Sequence, residues 1–175
     1  MLSGSTTISI DDRSRLQVPT RYIAAMRELA GAGDQEEIPV VITFTPRRTI
    51  GIYPLAVYRK MIATLKKLHE EKKRPEFRKL LLAYVNFEEP QSMDKQQRLR
   101  IPQLHSTMVK LTGIGNQAVI VGSESYLELM SLSRFEEISQ EVLPLMEQWS
   151  DLVLQEGVAE VTDFAGLDPA ENVEQ

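Results

Sequence analysis

The chain contains no cysteine, which excludes disulfides, cysteine-ligated zinc and thiol catalysis. Its only histidines, His69 and His105, fall in different expected helices and lack the His-x-x-x-His spacing of a helical metal site, so no metal or cofactor is expected. The longest apolar runs, "LLLAYV" and "AVIV", are too short to cross a bilayer, and the opening "MLSGSTTISIDD" lacks the basic start and apolar core of a signal peptide. These features read as a soluble cytoplasmic protein with no membrane partner. Positive charge is missing from the end of the chain, where residues 156–175 carry six acids and no Lys or Arg. The net charge of −5 therefore belongs to that end, and residues 1–155 hold 20 basic against 19 acidic groups. Residues 156–175 read as an acidic flexible tail that would oppose nonspecific contact with a polyanion.

What is present is a repeat. "IDDRSRLQVPTRY" at residues 10–22 returns 83 positions later as "MDKQQRLRIPQLH" at residues 93–105. Both copies carry Asp, three variable residues, Arg, Leu, any residue, an aliphatic residue and Pro. Around the first copy, "TTISI" and "RLQV" alternate in polarity on either side of "DDRS" and predict a β-hairpin. The segment after Pro19 has helical spacing at Ile23, Met26, Leu29 and Ala30, with Gly31 as the stop. Two β-rich runs, "PVVITFT" and "TIGIYP", and a helix from Leu55 follow. The second copy repeats the order: "QSMD", "RLRIP", a helix "QLHSTMVKLTG" ending at Gly113, the strands "AVIVGS" and "YLELMS", and a helix from Ser133.

A half of this size buries little surface alone and leaves strand edges unpaired, so two halves are expected to close on each other. The expected fold is α+β, with duplicated ββαββ units forming a pseudo-twofold β-barrel with flanking helices. Its parts are a first repeat at 1–74, a second at 75–155 and the tail. Strand alternation points Leu16, Val18, Leu99 and Ile101 inward and Gln17 and Arg100 outward.

Asp11 and Arg15 flank one turn, and Asp94 and Arg98 flank the other. A single such pair reads as a turn clasp, with the carboxylate holding turn N–H groups or the guanidinium. Two symmetric turns would also bring Arg13, Arg15, Lys95, Arg98 and Arg100 to one end of the barrel. A rigid arginine cluster suits phosphate oxygens or the guanine edge, which Arg contacts bidentately.

At this point the sequence resembles the MraZ family. The similarity covers roughly residues 1–150 and rests on "MLSGSTTISIDDRSRLQVPTRY", "IYPLAVYRKM", "LLAYVNFEEPQSMDKQQRLRIP" and "AVIVGSESYLELMSLSRFEE". The resemblance implies a double-split β-barrel of the AbrB type and a bacterial transcriptional regulator. It further implies binding to short G-rich direct repeats in double-stranded promoter DNA, upstream of the division and cell-wall gene cluster, assembly into rings, and association with the nucleoid. It makes Asp11, Arg15, Asp94 and Arg98 the signature positions, with Arg13 where the family has Lys. The glycine that precedes each motif arginine in the family is Ser14 in one copy and Gln97 in the other. Positive φ there would strain these turns.

Other features read as structural. Residues 59–79 hold nine basic and three acidic side chains around the apolar stripe Met61, Ile62, Leu65 and Leu68, a pattern of a solvated helix face; a second DNA-facing surface is the rival reading. Pro75 should divide this segment into two helices. "GIGNQA" follows a helix and precedes a strand, the reverse of the context phosphate binding needs, and reads as a helix stop. Ser123 and Ser125 lack a nucleophile elbow. No nucleophile, metal or cofactor motif has its required context, so the chain is not expected to be an enzyme. The alternative to a DNA-binding regulator is a non-catalytic oligomerisation or interaction module that does not itself bind DNA.

Overall fold

Strand alternation in the first motif continues into real strands, but their partners are not the local ones. The computed structural model describes residues 1–111 and 117–150 in full, and the helical backbone to Phe164. It divides into a body, Met1–Leu132, and a second unit, Ser133–Gln175. In the body the order is β1 (Ser5–Ser9), β2 (Arg15–Gln17), α1 (Thr20–Ala30), β3 (Ile38–Phe44), β4 (Ile50–Pro54), α2 (Leu55–Lys72) and α3 (Pro75–Asn86). The second copy supplies β5 (Glu89–Met93), β6 (Arg98–Arg100), α4 (Gln103–Met108), β7 (Gln117–Ser123) and β8 (Tyr126–Ser131). The described part of the second unit is α5 (Leu132–Phe164), apart from its first residue.

The fold is α+β, with a six-stranded antiparallel sheet in the order β1-β7-β8-β4-β3-β5 and a separate ribbon, β2-β6. The predicted hairpin between "TTISI" and "RLQV" is reduced to its turn. Only an isolated bridge, Ile10 to Leu16, joins the two segments, after which β1 pairs with β7 and β2 with β6. An alternating segment satisfies its backbone groups on any edge of matching register, and here the matching edges belong to the other copy. The exchange is reciprocal: β1 of the first copy lies on β7 of the second, and β5 of the second lies on β3 of the first. At the centre Leu16 faces Leu99 in the ribbon, and Gly51 faces Glu128 in the sheet.

Small ties repeat the same symmetry. Val18 N–H donates to the Gln97 carbonyl and Ile101 N–H to the Ser14 carbonyl, each at 2.8 Å. Tyr22 Oη donates to the Gly4 carbonyl at 2.9 Å, and 83 residues on, His105 Nε2–H donates to the Phe87 carbonyl at 2.8 Å while stacking on Phe44. His105 is thus a buried structural histidine. The start of the chain is held by reciprocal Leu2 and Glu124 backbone bonds, and it crosses Gly122 so closely that a Cβ there would meet the Leu2–Ser3 backbone.

One face of the sheet packs Ile42, Ile52, Ile120, Leu127 and Leu129 against α1 residues Tyr22 and Met26 and the ribbon residues Leu16 and Leu99. The expected inward residues Leu16, Val18, Leu99 and Ile101 are all buried, and Gln17 and Arg100 are exposed. The other face gathers Val41, Tyr53 and Tyr58 with the α2 residues Met61 and Ile62, and Tyr53 stacks on Tyr126 at 4.4 Å. Helix α1 stops at Gly31, whose φ of 66° lets its N–H and that of Ala32 cap Glu28 and Arg27. Pro75 does separate α2 from α3, and the basic residues of α2 lie on its exposed side. Helix α4 ends at Met108, and the expected stop at Gly113 lies outside the described residues. Helix α5 carries its backbone through Gly157 to Phe164. The side chains from 151 and all of 165–175, most of the expected tail, lie outside the described residues.

Candidate nucleic-acid interface

The two motif turns are built alike. Asp11 Oδ1 accepts the backbone N–H of Arg13 at 2.9 Å and of Arg15 at 2.8 Å, while Oδ2 accepts Arg15 Nε at 2.8 Å, with Nη2 also at 2.8 Å. Asp94 Oδ1 accepts the N–H groups of Gln96 and Arg98 at 2.9 Å, and Oδ2 accepts Arg98 Nε at 2.8 Å. The backbone closes each turn through Ser14 N–H to Asp11 O and Gln97 N–H to Asp94 O. The Arg15 backbone N–H, ahead of its guanidinium and the Arg13 N–H, holds the Asp11 carboxyl below its ordinary 3.8. Burial raises the Asp94 carboxyl, but the Arg98 N–H and guanidinium and the Gln96 N–H outweigh it, so it too is lowered. With both values depressed, the clasps contribute fully above the ordinary carboxylate range and are lost as pH falls through the lowered folded-state values.

Both turns keep the left-handed conformation without glycine: φ is 57° at Ser14 and 63° at Gln97. A side chain costs roughly 1–2 kcal/mol there, partly offset by the roughly 0.4–1 kcal/mol that glycine gives to the unfolded chain. Ser14→Gly should therefore stabilise the protein by about 0.5–1 kcal/mol in urea unfolding; a destabilised variant would contradict strain at this turn. Gln97→Gly should gain less, because Gln97 Oε1 accepts the Thr20 hydroxyl at 3.0 Å.

The clasps leave much of each guanidinium unused. Arg15 spends Nε and one Nη2 position on Asp11, and its remaining N–H groups stay available as donors. Because Leu16 and Leu99 point inward, Arg15, Gln17, Arg98 and Arg100 share the outer face of the ribbon, with Arg15 opposite Arg100 and Gln17 opposite Arg98. Arg13, Arg15 and Arg100 line one recess of about 370 Å³ with Asp12 and Ser14. Among the described residues, Arg13 and Arg100 have no side-chain partner. Lys95 is instead ion-paired with Glu36 at 2.5 Å, an exposed pair that exchanges readily with other anions. Of the five basic side chains singled out from the sequence, three therefore meet in one recess, Arg98 stands at the other end of the ribbon, and Lys95 faces an acid.

Sequence reasoning missed a second polar cluster. Glu128, whose alternation with Leu127 and Leu129 suggests an ordinary outward residue, is 1% exposed. Its carboxylate accepts Thr49 Oγ1 at 2.8 Å and the Ser123 and Tyr126 hydroxyls at 3.1 Å, with Arg47 Nη1 at 3.8 Å. Burial, with the Glu128 charge next, pushes the Tyr126 hydroxyl up to about 12. The only available signal was a clustering of hydroxyl residues at strand ends, which is invisible until the strands pair. Among the described residues no His, Asp or Glu group is arranged to hold a metal, and no helix is long and apolar enough to cross a membrane.

No family model matches the chain. It is similar to the transcriptional regulator MraZ of Thiobacillus denitrificans, 31% identical over 151 residues that cover 82% of this chain and 95% of the relative. It is also similar to the proteins of the same name from Methylobacillus flagellatus, 26% identical with 82% and 89% covered, and Kineococcus radiotolerans, 26% identical with 88% and 97% covered. With both copies of the Asp-x-x-x-Arg turn in place and nearly the whole length of these relatives matched, the chain belongs to the MraZ family.

Proposed function

We propose that this chain is a sequence-specific DNA-binding transcriptional regulator that contacts short direct repeats in promoter DNA through its two arginine-bearing turns. The observation that carries the reading is the recess where Arg13 of the turn meets Arg15 and Arg100 of the ribbon, the side chains of Arg13 and Arg100 having no partner among the described residues. In this reading Arg13, Arg15, Arg98, Arg100 and Lys95 contact DNA, and Asp11 and Asp94 aim the motif arginines. Fixing the guanidinium before binding lowers the entropy lost on contact and suits bidentate recognition of guanine. The target, from the family resemblance, is the division and cell-wall gene cluster, and the site of action is the nucleoid in the cytoplasm.

The repeats 1–74 and 75–155 act as the two halves of one double-split barrel, so a single chain does the work of a homodimer. One chain with a few arginines binds a short repeat weakly. A ring-like homo-oligomer would engage successive repeats and gain affinity through effective concentration. A second reading, a non-catalytic interaction module without DNA binding, draws on the clasps themselves, since both motif arginines already have an acid on their own turn.

A gel-shift titration with a duplex from upstream of the protein's own gene, at two salt concentrations, separates the readings. The expected result is binding that weakens steeply with salt, by an assembly larger than one chain in light scattering. No binding at low salt would favour the interaction module.

A further inference from the structure

The two ends of the ribbon share a backbone but not a chemistry. A shift of 83 residues carries Arg13 to Gln96, Arg15 to Arg98 and Gln17 to Arg100. The register places Arg15 opposite Arg100 at one end and Gln17 opposite Arg98 at the other. One end therefore offers three guanidiniums, and its counterpart offers one guanidinium with two carboxamides. Gln17 and Gln96 are exposed, and neither side-chain amide has a partner among the described residues. The neighbouring Gln97 differs, because its amide is engaged by Thr20.

We propose that Gln17 and Gln96, beside Arg98, form an adenine-reading subsite, so that the chain reads a directional DNA site despite its symmetric backbone. A guanidinium only donates and matches the two acceptors of guanine, O6 and N7. A carboxamide donates and accepts, and matches the N6 donor and N7 acceptor of adenine. Two identical ends would favour a palindromic site, as two-fold DNA-binding proteins do; unlike ends favour a guanine contact at one side and an adenine contact at the other. The inference rests on the proposed DNA-binding function and adds a base preference to one end of the same surface.

The test uses the full-length protein, a duplex from upstream of its own gene, and a panel in which each A·T pair of that duplex is changed in turn to G·C. The parent protein should lose roughly five- to 150-fold in affinity at one or two adenine positions. Gln17→Ala and Gln96→Ala should keep the parent melting temperature, bind the original duplex more weakly by a comparable factor, and no longer discriminate at those positions. If the parent binds but both variants match it across the panel, or lose affinity equally on every duplex as phosphate contacts would, the adenine subsite is overturned and the DNA-binding function stands. If the parent does not bind the duplex at all, both fall together.

Discussion

Arg15→Ala is expected to leave melting close to that of the parent protein and to weaken binding of the upstream duplex by about 1–3 kcal/mol, roughly five- to 150-fold. The separation of the two effects follows from where the side chain sits. Its pair with Asp11 is solvent-exposed, and exposed ion pairs add little to folding, whereas the residue lines the recess shared with Arg13 and Arg100. Asp11 Oδ1 would still accept the Arg13 and Arg15 backbone N–H groups, so the turn keeps its shape. Arg98→Ala should act in the same direction but less strongly, because its end of the ribbon carries Gln17 and Gln96 where the other carries Arg100 and Arg13. Titrations of both variants at two salt concentrations, beside their melting curves, check this. Loss of melting temperature in step with loss of affinity would mean that the pairs are structural clasps only.

Leu99→Ala, one residue along the chain, should do the opposite. Leu99 and Leu16 face each other in the ribbon that joins the copies, and each is 1% exposed. Truncating a fully buried leucine costs about 2–5 kcal/mol through lost transfer energy and the cavity left behind. That is a large part of the roughly 5–15 kcal/mol that holds a typical domain together. Urea unfolding should show a lower midpoint with a similar slope, and DNA binding should fall only with the folded fraction. The ribbon is three residues per strand, so little else at that point can compensate. An unchanged midpoint would show that the ribbon core does not hold the copies together.

The contrast between these neighbouring positions follows from strand alternation, and that much was legible in the sequence. Leu16, Val18, Leu99 and Ile101 are buried as their pattern implied, Gly31 ends α1, and Pro75 opens α3 and so divides it from α2. Strand partners were less legible. The segment "TTISI" announces a strand, but pairing depends on an edge more than a hundred residues away, and the local turn suggested the nearer partner. The turns were half legible: Ser14 and Gln97 stand where the resemblance implies glycine, and φ is positive at both, because the clasp and the cross-ribbon bonds from Ile101 and Val18 hold the backbone there. Glu128 was not legible, since its burial comes from hydroxyls that three different segments bring together. Within the candidate interface, residue types and spacing pointed to the arginines, but only the β2–β6 register put Arg100 beside Arg15 and left Gln17 beside Arg98.

The most direct measurement is the affinity of the double variant Arg15→Ala/Arg98→Ala for the upstream duplex, with melting temperature and oligomer mass taken on the same samples. If the motif is written twice because both turns face DNA, melting and mass stay near those of the parent while affinity falls further than in either single variant, approaching that for random duplex. Duplex affinity equal to that of the parent, in a protein with parent-like melting and mass, would contradict a DNA-reading role for the repeated arginines.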